Sequence, residues 1–124
     1  ISNMIKNCGG TIISDDRTIV QAKKSRITMA GSWCRGKVEL VTNHTALLAG
    51  IFFVTQADTS SIRRSENFHA GLHQLISFII KPLPTEDWWD SSLGLLEKTA
   101  RQIPCYRLAF NHSGDIVDLI TDLY

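Results

Sequence analysis

The chain has 124 residues, of which 44% are hydrophobic and 20% charged, and its formal net charge is +1. These values are typical of one soluble globular domain that buries a core without disulfides or structural metals. The small net charge argues against a dedicated nucleic-acid-binding protein, and the longest apolar stretch, Ala46–Val54, is too short to cross a bilayer. Three well-separated cysteines predict reduced thiols in a cytoplasmic protein: Cys8, Cys34 and Cys105.

Four apolar residues at the start of the chain recur at the spacing of one helix face: Ile1, Met4, Ile5 and Cys8. Gly9 and Gly10 follow them and end the predicted helix. Because no N-cap residue precedes this face, we expect the chain to begin inside a helix. The single domain of residues 1–124 is then incomplete at its N-terminus.

Short runs rich in β-branched residues predict three strands in the next part of the chain: Thr11–Ser14, Thr18–Ala22 and Ile27–Ala30. The first of these is expected to be buried, and the other two are expected to pair as a hairpin around the basic turn over residues 23–26. A loose alternation over residues 37–42 predicts an edge strand. The run Leu47–Thr55 is nearly all apolar and predicts a central strand that is buried on both faces.

The second half of the chain predicts two amphipathic helices, over Phe68–Ile79 and Glu86–Gln102, the latter capped by Thr85. A strand at Cys105–Phe110 and a short helix at Asp115–Leu123 follow. The order of elements, β-rich and then helical with one late strand, predicts a mixed α/β or α+β fold.

Asp15 and Asp16 follow the first predicted strand, at a strand end where α/β proteins place ligands. Successive strand residues point to opposite sides, so one carboxylate would face a metal and the other would orient a water or a basic side chain. Carboxylate and water are ligands that Mg²⁺ takes at phosphate sites. The alternative interpretation is a polar turn over Ser14–Arg17 between two strands.

The loop from Gly31 to Gly36 is the second candidate binding segment. Its glycines allow a close backbone approach, Trp33 offers a flat anchor, and the Arg35 guanidinium can pair with a phosphate through two N–H groups. The alternative is a hairpin connection in which Trp33 folds onto the core.

Glu66, His69 and His73 lie at helical spacing, and two histidines four residues apart can chelate zinc. A solvated helix flank is the simpler interpretation of this pattern. Arg63 and Arg64 are interpreted as a solvated turn, with a phosphate contact as the alternative.

Four segments in chain order form a pattern that extends over most of the chain: Gly10–Arg17, Gly31–Gly36, Leu48–Ala57 and Ile103–Phe110. They hold the acidic pair, the Gly-Ser-Trp-Cys-Arg-Gly loop, an apolar strand and a late strand. Together they resemble the HPr serine kinase/phosphatase and phosphoenolpyruvate carboxykinase-like superfamily, especially its small bacterial members. The second segment is similar to the Gly-Thr-Pro-Trp-x-Gly loop of these proteins, with Ser32 in place of the proline.

The resemblance implies the C-terminal part of a nucleotide-binding fold, with a mixed sheet and flanking helices. A phosphate loop would open the first helix, which leads through a glycine turn into the strand with the acidic pair. Asp15 and Asp16 would serve Mg²⁺ and the transferring phosphate of ATP. Either both would act at the metal or one would act as base for an acceptor hydroxyl, and Arg35 would hold phosphate oxygens. The loop residues expected to contact the cofactor are Gly31, Trp33 and Gly36.

The main functional hypothesis is therefore part of an ATP- and Mg²⁺-dependent phosphotransferase, whose phosphate acceptor is a protein, a peptide or a small molecule. The loop motif Gly-x-x-x-x-Gly-Lys-Ser/Thr occurs nowhere in the chain, so we expect these residues alone to bind ATP poorly and to be inactive.

The alternative is a non-catalytic, degenerate relative that binds a peptide or a protein. A zinc-dependent hydrolase using His69 and His73 is the third hypothesis. An exposed sheet edge would favour a homo-oligomer.

Overall fold

The computed structural model describes residues 1–34, 42–81, 85–111 and 116–124. These residues form helices and two three-stranded sheets. A mixed α and β fold is therefore confirmed. In chain order the elements are α1 (Ser2–Asn7), β1 (Thr18–Lys23), β2 (Arg26–Gly31), β3 (Thr45–Leu47), β4 (Ile51–Gln56), β5 (Ser61–Arg64), α2 (Phe68–Phe78), α3 (Glu86–Gln102), β6 (Cys105–Phe110) and α4 (Ile116–Thr121).

The first sheet is an antiparallel meander in the order β1-β2-β3. Strands β1 and β2 pair from Thr18 opposite Gly31 to Lys23 opposite Arg26, which confirms the predicted hairpin. Lys24 occupies the tight turn with a φ of 55°, in the left-handed region. The ammonium group of Lys98 on α3 donates a hydrogen bond of 3.0 Å to the Lys24 carbonyl, which joins this turn to the helical layer.

The second sheet has the order β4-β6-β5, with β4 parallel and β5 antiparallel to β6. The late strand β6 is therefore central, and its Leu108 is 1% exposed. Helix α2 packs on this sheet, because Phe78 stacks on Phe53 of β4 with ring centroids 5.9 Å apart. Ile116 of α4 is fully buried and adds to the core.

The prediction of one central strand over Leu47–Thr55 is wrong. Strand β3 ends at Leu47 and β4 begins at Ile51, and the two strands belong to different sheets. Strand β4 lies at an edge of its sheet and is only half-buried or exposed along its length. The physical reason is that β6, flanked by strands on both sides, takes the central place.

The predicted buried strand over Thr11–Ser14 is also wrong, because these residues are irregular and none is fully buried. In the described part of the chain they pair with no strand; instead, the Thr42 hydroxyl donates to the Ile13 carbonyl over 3.3 Å. A short β-branched run without a ladder partner stays irregular. Thr42 lies in no strand, and the rest of the predicted edge strand, residues 37–41, lies outside the described residues, as does Asp115.

Helix α3 has the predicted bounds, and Thr85 is its N-cap, with a side-chain oxygen that accepts the Trp88 N–H over 3.3 Å. Replacing Thr85 with alanine should lower the free energy of unfolding by about 1 kcal/mol, because this N–H loses its partner. Chemical denaturation measures the change. Thr85→Ser keeps the hydroxyl and should stay close to wild type; equal stability of the alanine variant would show that the cap contributes nothing.

No helix within the described ranges is both long and apolar enough to cross a membrane.

Candidate functional site

The acidic pair lies on an irregular loop between α1 and β1. A bend covers Asp15 and Asp16, and the Ser14 hydroxyl donates to the Arg17 carbonyl across it. Asp15 is half-buried and Asp16 is exposed. The carboxylates thus project from a polar bend, so the expected alternation of strand side chains does not apply here.

Asp15 is held by the beginning of α1. The hydroxyl of Ser2, the first residue of that helix, donates to the Asp15 carboxylate with a distance of 2.7 Å from Oγ to Oδ1. Both side chains belong to half-buried residues. The start of α1 and the acidic pair are therefore neighbours, which orients the Asp15 carboxylate.

Arg17 connects the acidic pair to the second candidate segment. Its Nε lies 3.5 Å from Oδ2 of Asp16, with both side chains about half exposed (51% and 53%). Its Nη1 donates to the Cys34 sulfur over 3.6 Å. An exposed ion pair of this kind adds little to stability, but it places a guanidinium group between the carboxylates and the loop that follows β2.

Gly31 ends β2 and allows this close approach. A Cβ at Gly31 would lie 2.7 Å from the Ile13 carbonyl oxygen and 2.9 Å from the Thr42 carbonyl oxygen. Both distances are far below ordinary van der Waals contact. Glycine at this position is therefore explained by backbone packing against the loop that carries Asp15 and Asp16.

Trp33 is 83% exposed, so the interpretation in which its ring folds onto the core is wrong. Ser32 is buried, and its hydroxyl accepts the Cys34 N–H over 3.3 Å, which orders the backbone around the tryptophan. The exposed ring is available as a flat contact surface. Arg35 and Gly36 lie outside the described residues.

A groove of about 370 Å³ begins beside the acidic loop and runs between β1, α2 and α3. Asp16 and Arg17 line one part of it, and most of the remaining wall is apolar, including Val20, Leu75 and Leu96. Sequence patterns did not reveal this groove, because its walls come from three separate segments.

The described residues hold no group of three or more His, Cys, Asp or Glu that could bind a metal. His69 and His73 lie one turn apart on α2, but the zinc hypothesis gains no third ligand from these residues. The His69 ring instead packs against Phe68, with ring centroids 3.9 Å apart. Magnesium at phosphate sites needs fewer protein ligands, since one or two carboxylates with phosphate and water complete its shell. Asp15 and Asp16 are carboxylates of that type.

No family model, curated protein or solved structure matches this chain. The resemblance to the HPr kinase superfamily therefore remains a prediction.

Proposed function

We propose that Asp15, Asp16 and the start of α1 form part of the magnesium-nucleotide site of an ATP-dependent phosphotransferase. The observation that carries this proposal is the hydrogen bond from Ser2 to Asp15. The resemblance implies a phosphate loop that opens α1, and a loop joined to α1 at Ile1 would arrive beside the acidic pair. The loop itself would belong to a longer polypeptide that contains these residues.

Each side chain has a distinct part in this proposal. Asp15, oriented by the Ser2 hydroxyl, would hold Mg²⁺ or one of its waters. When bound, Mg²⁺ supplies charge neutralisation of the phosphates, which dominates phosphoryl transfer together with positioning. Asp16 would accept the proton of an acceptor hydroxyl. Arg17, which is half exposed and contacts Asp16 and Cys34, would pair with a phosphate oxygen.

The acceptor in this proposal carries a hydroxyl group, on a protein, a peptide or a small molecule. Trp33 directly precedes Cys34, whose sulfur accepts a hydrogen bond from Arg17. Its exposed ring offers a surface on which a flat group can stack. The ring would serve the cofactor or the acceptor by flat contact, as an aromatic platform does.

Asp15→Asn should weaken Mg²⁺-dependent ATP binding or turnover at least tenfold, about 1.4 kcal/mol, in the polypeptide that includes the upstream phosphate loop. The amide keeps the shape but loses the charge that Mg²⁺ requires. Calorimetry with Mg-ATP measures the affinity, and transfer of labelled phosphate measures the turnover.

Asp90→Asn is the matched control, because Asp90 is exposed on α3 and the substitution removes the same charge. The 124 residues alone should bind ATP much more weakly than the longer polypeptide. Unchanged affinity and turnover in Asp15→Asn would remove Asp15 from the mechanism and favour the non-catalytic alternative.

A further inference from the structure

Arg63 and Arg64 belong to strand β5, so their interpretation as a solvated turn is wrong. Strand β5 pairs antiparallel with β6, and Arg63 lies directly opposite Arg107. Directly opposed like charges in an antiparallel pair destabilise a sheet. A sheet that places two exposed guanidinium groups side by side therefore gains from an anion that binds both.

These arginines have no carboxylate partner among the residues that the structure describes. The ion pairs found there join Arg17 to Asp16 and Arg101 to Glu97. Arg63, Arg64 and Arg107 form no salt bridge within those same ranges. Within the described ranges, no ion pair offsets their positive charge.

Two adjoining cavities lie at this cluster, with volumes of about 230 and 380 Å³, and both are lined by Arg64, Ser65 and Glu66. Arg63 and Arg107 complete the smaller cavity together with the first turn of α2. The smaller cavity is therefore lined by three arginines and one acid, Glu66. Arg63 and Arg107 share one face of the sheet, whereas the side chain of Arg64, the next residue of β5, points to the other face.

The larger cavity adds Arg101 and the beginning of α2, an 11-residue helix whose first turn is capped by Asn67. The N-terminal end of a helix dipole attracts anions. Cys105 also lines this cavity, and burial raises the pKa of its thiol, so it stays neutral and offsets none of the positive charge.

The Ser65 hydroxyl supplies a second, independent observation. Its oxygen is buried and has no hydrogen-bond partner among the described atoms. The backbone around it is held in place, because the Ser65 N–H donates to the Cys105 carbonyl over 2.8 Å. A buried hydroxyl without a partner is costly, and rotation of the Ser65 side chain towards either cavity would let it donate to an oxygen of a bound anion.

We propose that the pocket formed by Arg63, Arg107 and the start of α2 binds the phosphate group of a phosphate monoester. Guanidinium groups match the tetrahedral oxygens of phosphate through paired N–H donors. The site lies on the second sheet and shares no residue with the proposed magnesium-nucleotide site around Asp15. It therefore stands independently of the phosphotransferase proposal.

The test titrates inorganic phosphate into the isotopically labelled protein without Mg²⁺, at constant ionic strength, and follows the amide signals of residues 65–70. We expect saturable shifts, which phosphoserine and AMP reproduce and which serine and adenosine do not. The affinities of phosphoserine and AMP are then compared. Tighter binding of phosphoserine would indicate an amino-acid source of the phosphate, and tighter binding of AMP a nucleotide source. Shifts that grow linearly without saturation would overturn the proposal.

Arg63→Gln and Arg107→Gln should each weaken phosphate binding at least tenfold, because each removes one guanidinium group and its paired N–H donors. Glutamine keeps the first methylene groups of the arginine side chain. Because the substitution also removes one of two cations that face each other across the strands, it relieves their repulsion, and both variants should fold. Arg26→Gln is the matched control, an exposed arginine in the hairpin of the first sheet, and should change the affinity less than twofold. Equal losses in all three variants would show only long-range electrostatics and overturn the site.

Asp15→Asn should leave phosphate binding here unchanged, which separates this site from the proposed function. A change of more than twofold in phosphate affinity in Asp15→Asn would contradict this separation of the two sites.

Discussion

Leu108→Ala should destabilise the protein by about 2–5 kcal/mol, the range for leucine truncation in a packed core. Leu108 is 1% exposed and lies in β6, the central strand, opposite Val54 on one side and Ile62 on the other. Truncation leaves a cavity on the buried face of the second sheet, which the close-packed surroundings fill only in part. Denaturation with urea, followed by far-UV circular dichroism, measures the change.

Leu47→Ala is the matched control, since the same atoms are removed from a residue that is 60% exposed. That variant should lose less than about 1 kcal/mol, as surface substitutions do. Equal losses at positions 47 and 108 would contradict the placement of β6 at the centre of its sheet.

Gly31→Ala should destabilise the protein by about 1–3 kcal/mol, the cost of forcing extra volume into a packed contact. The new Cβ would lie 2.7 Å from one backbone carbonyl oxygen, that of Ile13, and 2.9 Å from another, that of Thr42. Backbone atoms cannot rotate away as a side chain can, so the acidic loop must shift. Thermal and chemical denaturation report the loss of stability.

Gly94→Ala is the control for this substitution, because a Cβ at Gly94 would have no atom within 4 Å. Gly94 lies within α3, where alanine is preferred over glycine by about 0.5–1 kcal/mol. We therefore expect opposite signs for the two variants. A Gly31→Ala variant as stable as wild type would contradict the close packing of β2 against the acidic loop.

The backbone contact at Gly31 is part of the candidate site. Gly31 positions the loop of Asp15 and Asp16 against the end of β2, and Arg17 then reaches Cys34. Any change that separates these segments should also disturb the carboxylates. A substitution at Gly31 should therefore affect both the stability of the first sheet and the geometry of the proposed magnesium site.

Local sequence signals predicted α3 and β6 with their observed bounds. Thr85 provides the cap of α3, and Pro104, which cannot continue a helix, separates α3 from β6. Such signals act between residues that are close in the chain, so they are readable without the fold. The hairpin of β1 and β2 was predicted for the same reason.

Strands were less predictable, because a strand needs a partner as well as a suitable composition. Thr11–Ser14 is β-branched but irregular, whereas Ser61–Arg64, with two arginines, forms β5 because β6 provides a ladder. The apolar run from Leu47 divides between two sheets. None of these outcomes follows from composition alone.

Within the candidate site, sequence reasoning identified side chains with useful chemistry but not their neighbours. Asp15 was singled out by its type and position, but its partner Ser2 is 13 residues away and showed no signal of its own. The pairing of Arg63 with Arg107 likewise depends on strand register. Register is set by pairing across the sheet, which a single strand does not encode.

The amino-acid sequence by itself determined the mixed α and β class, the long capped helix α3 and the late strand β6. Tertiary structure alone decided that β6 is central, that Trp33 is exposed and that the arginines of β5 and β6 line one cavity. The physical reason is range: capping and helix periodicity act over a few residues, whereas burial and strand pairing depend on contacts between distant parts of the chain.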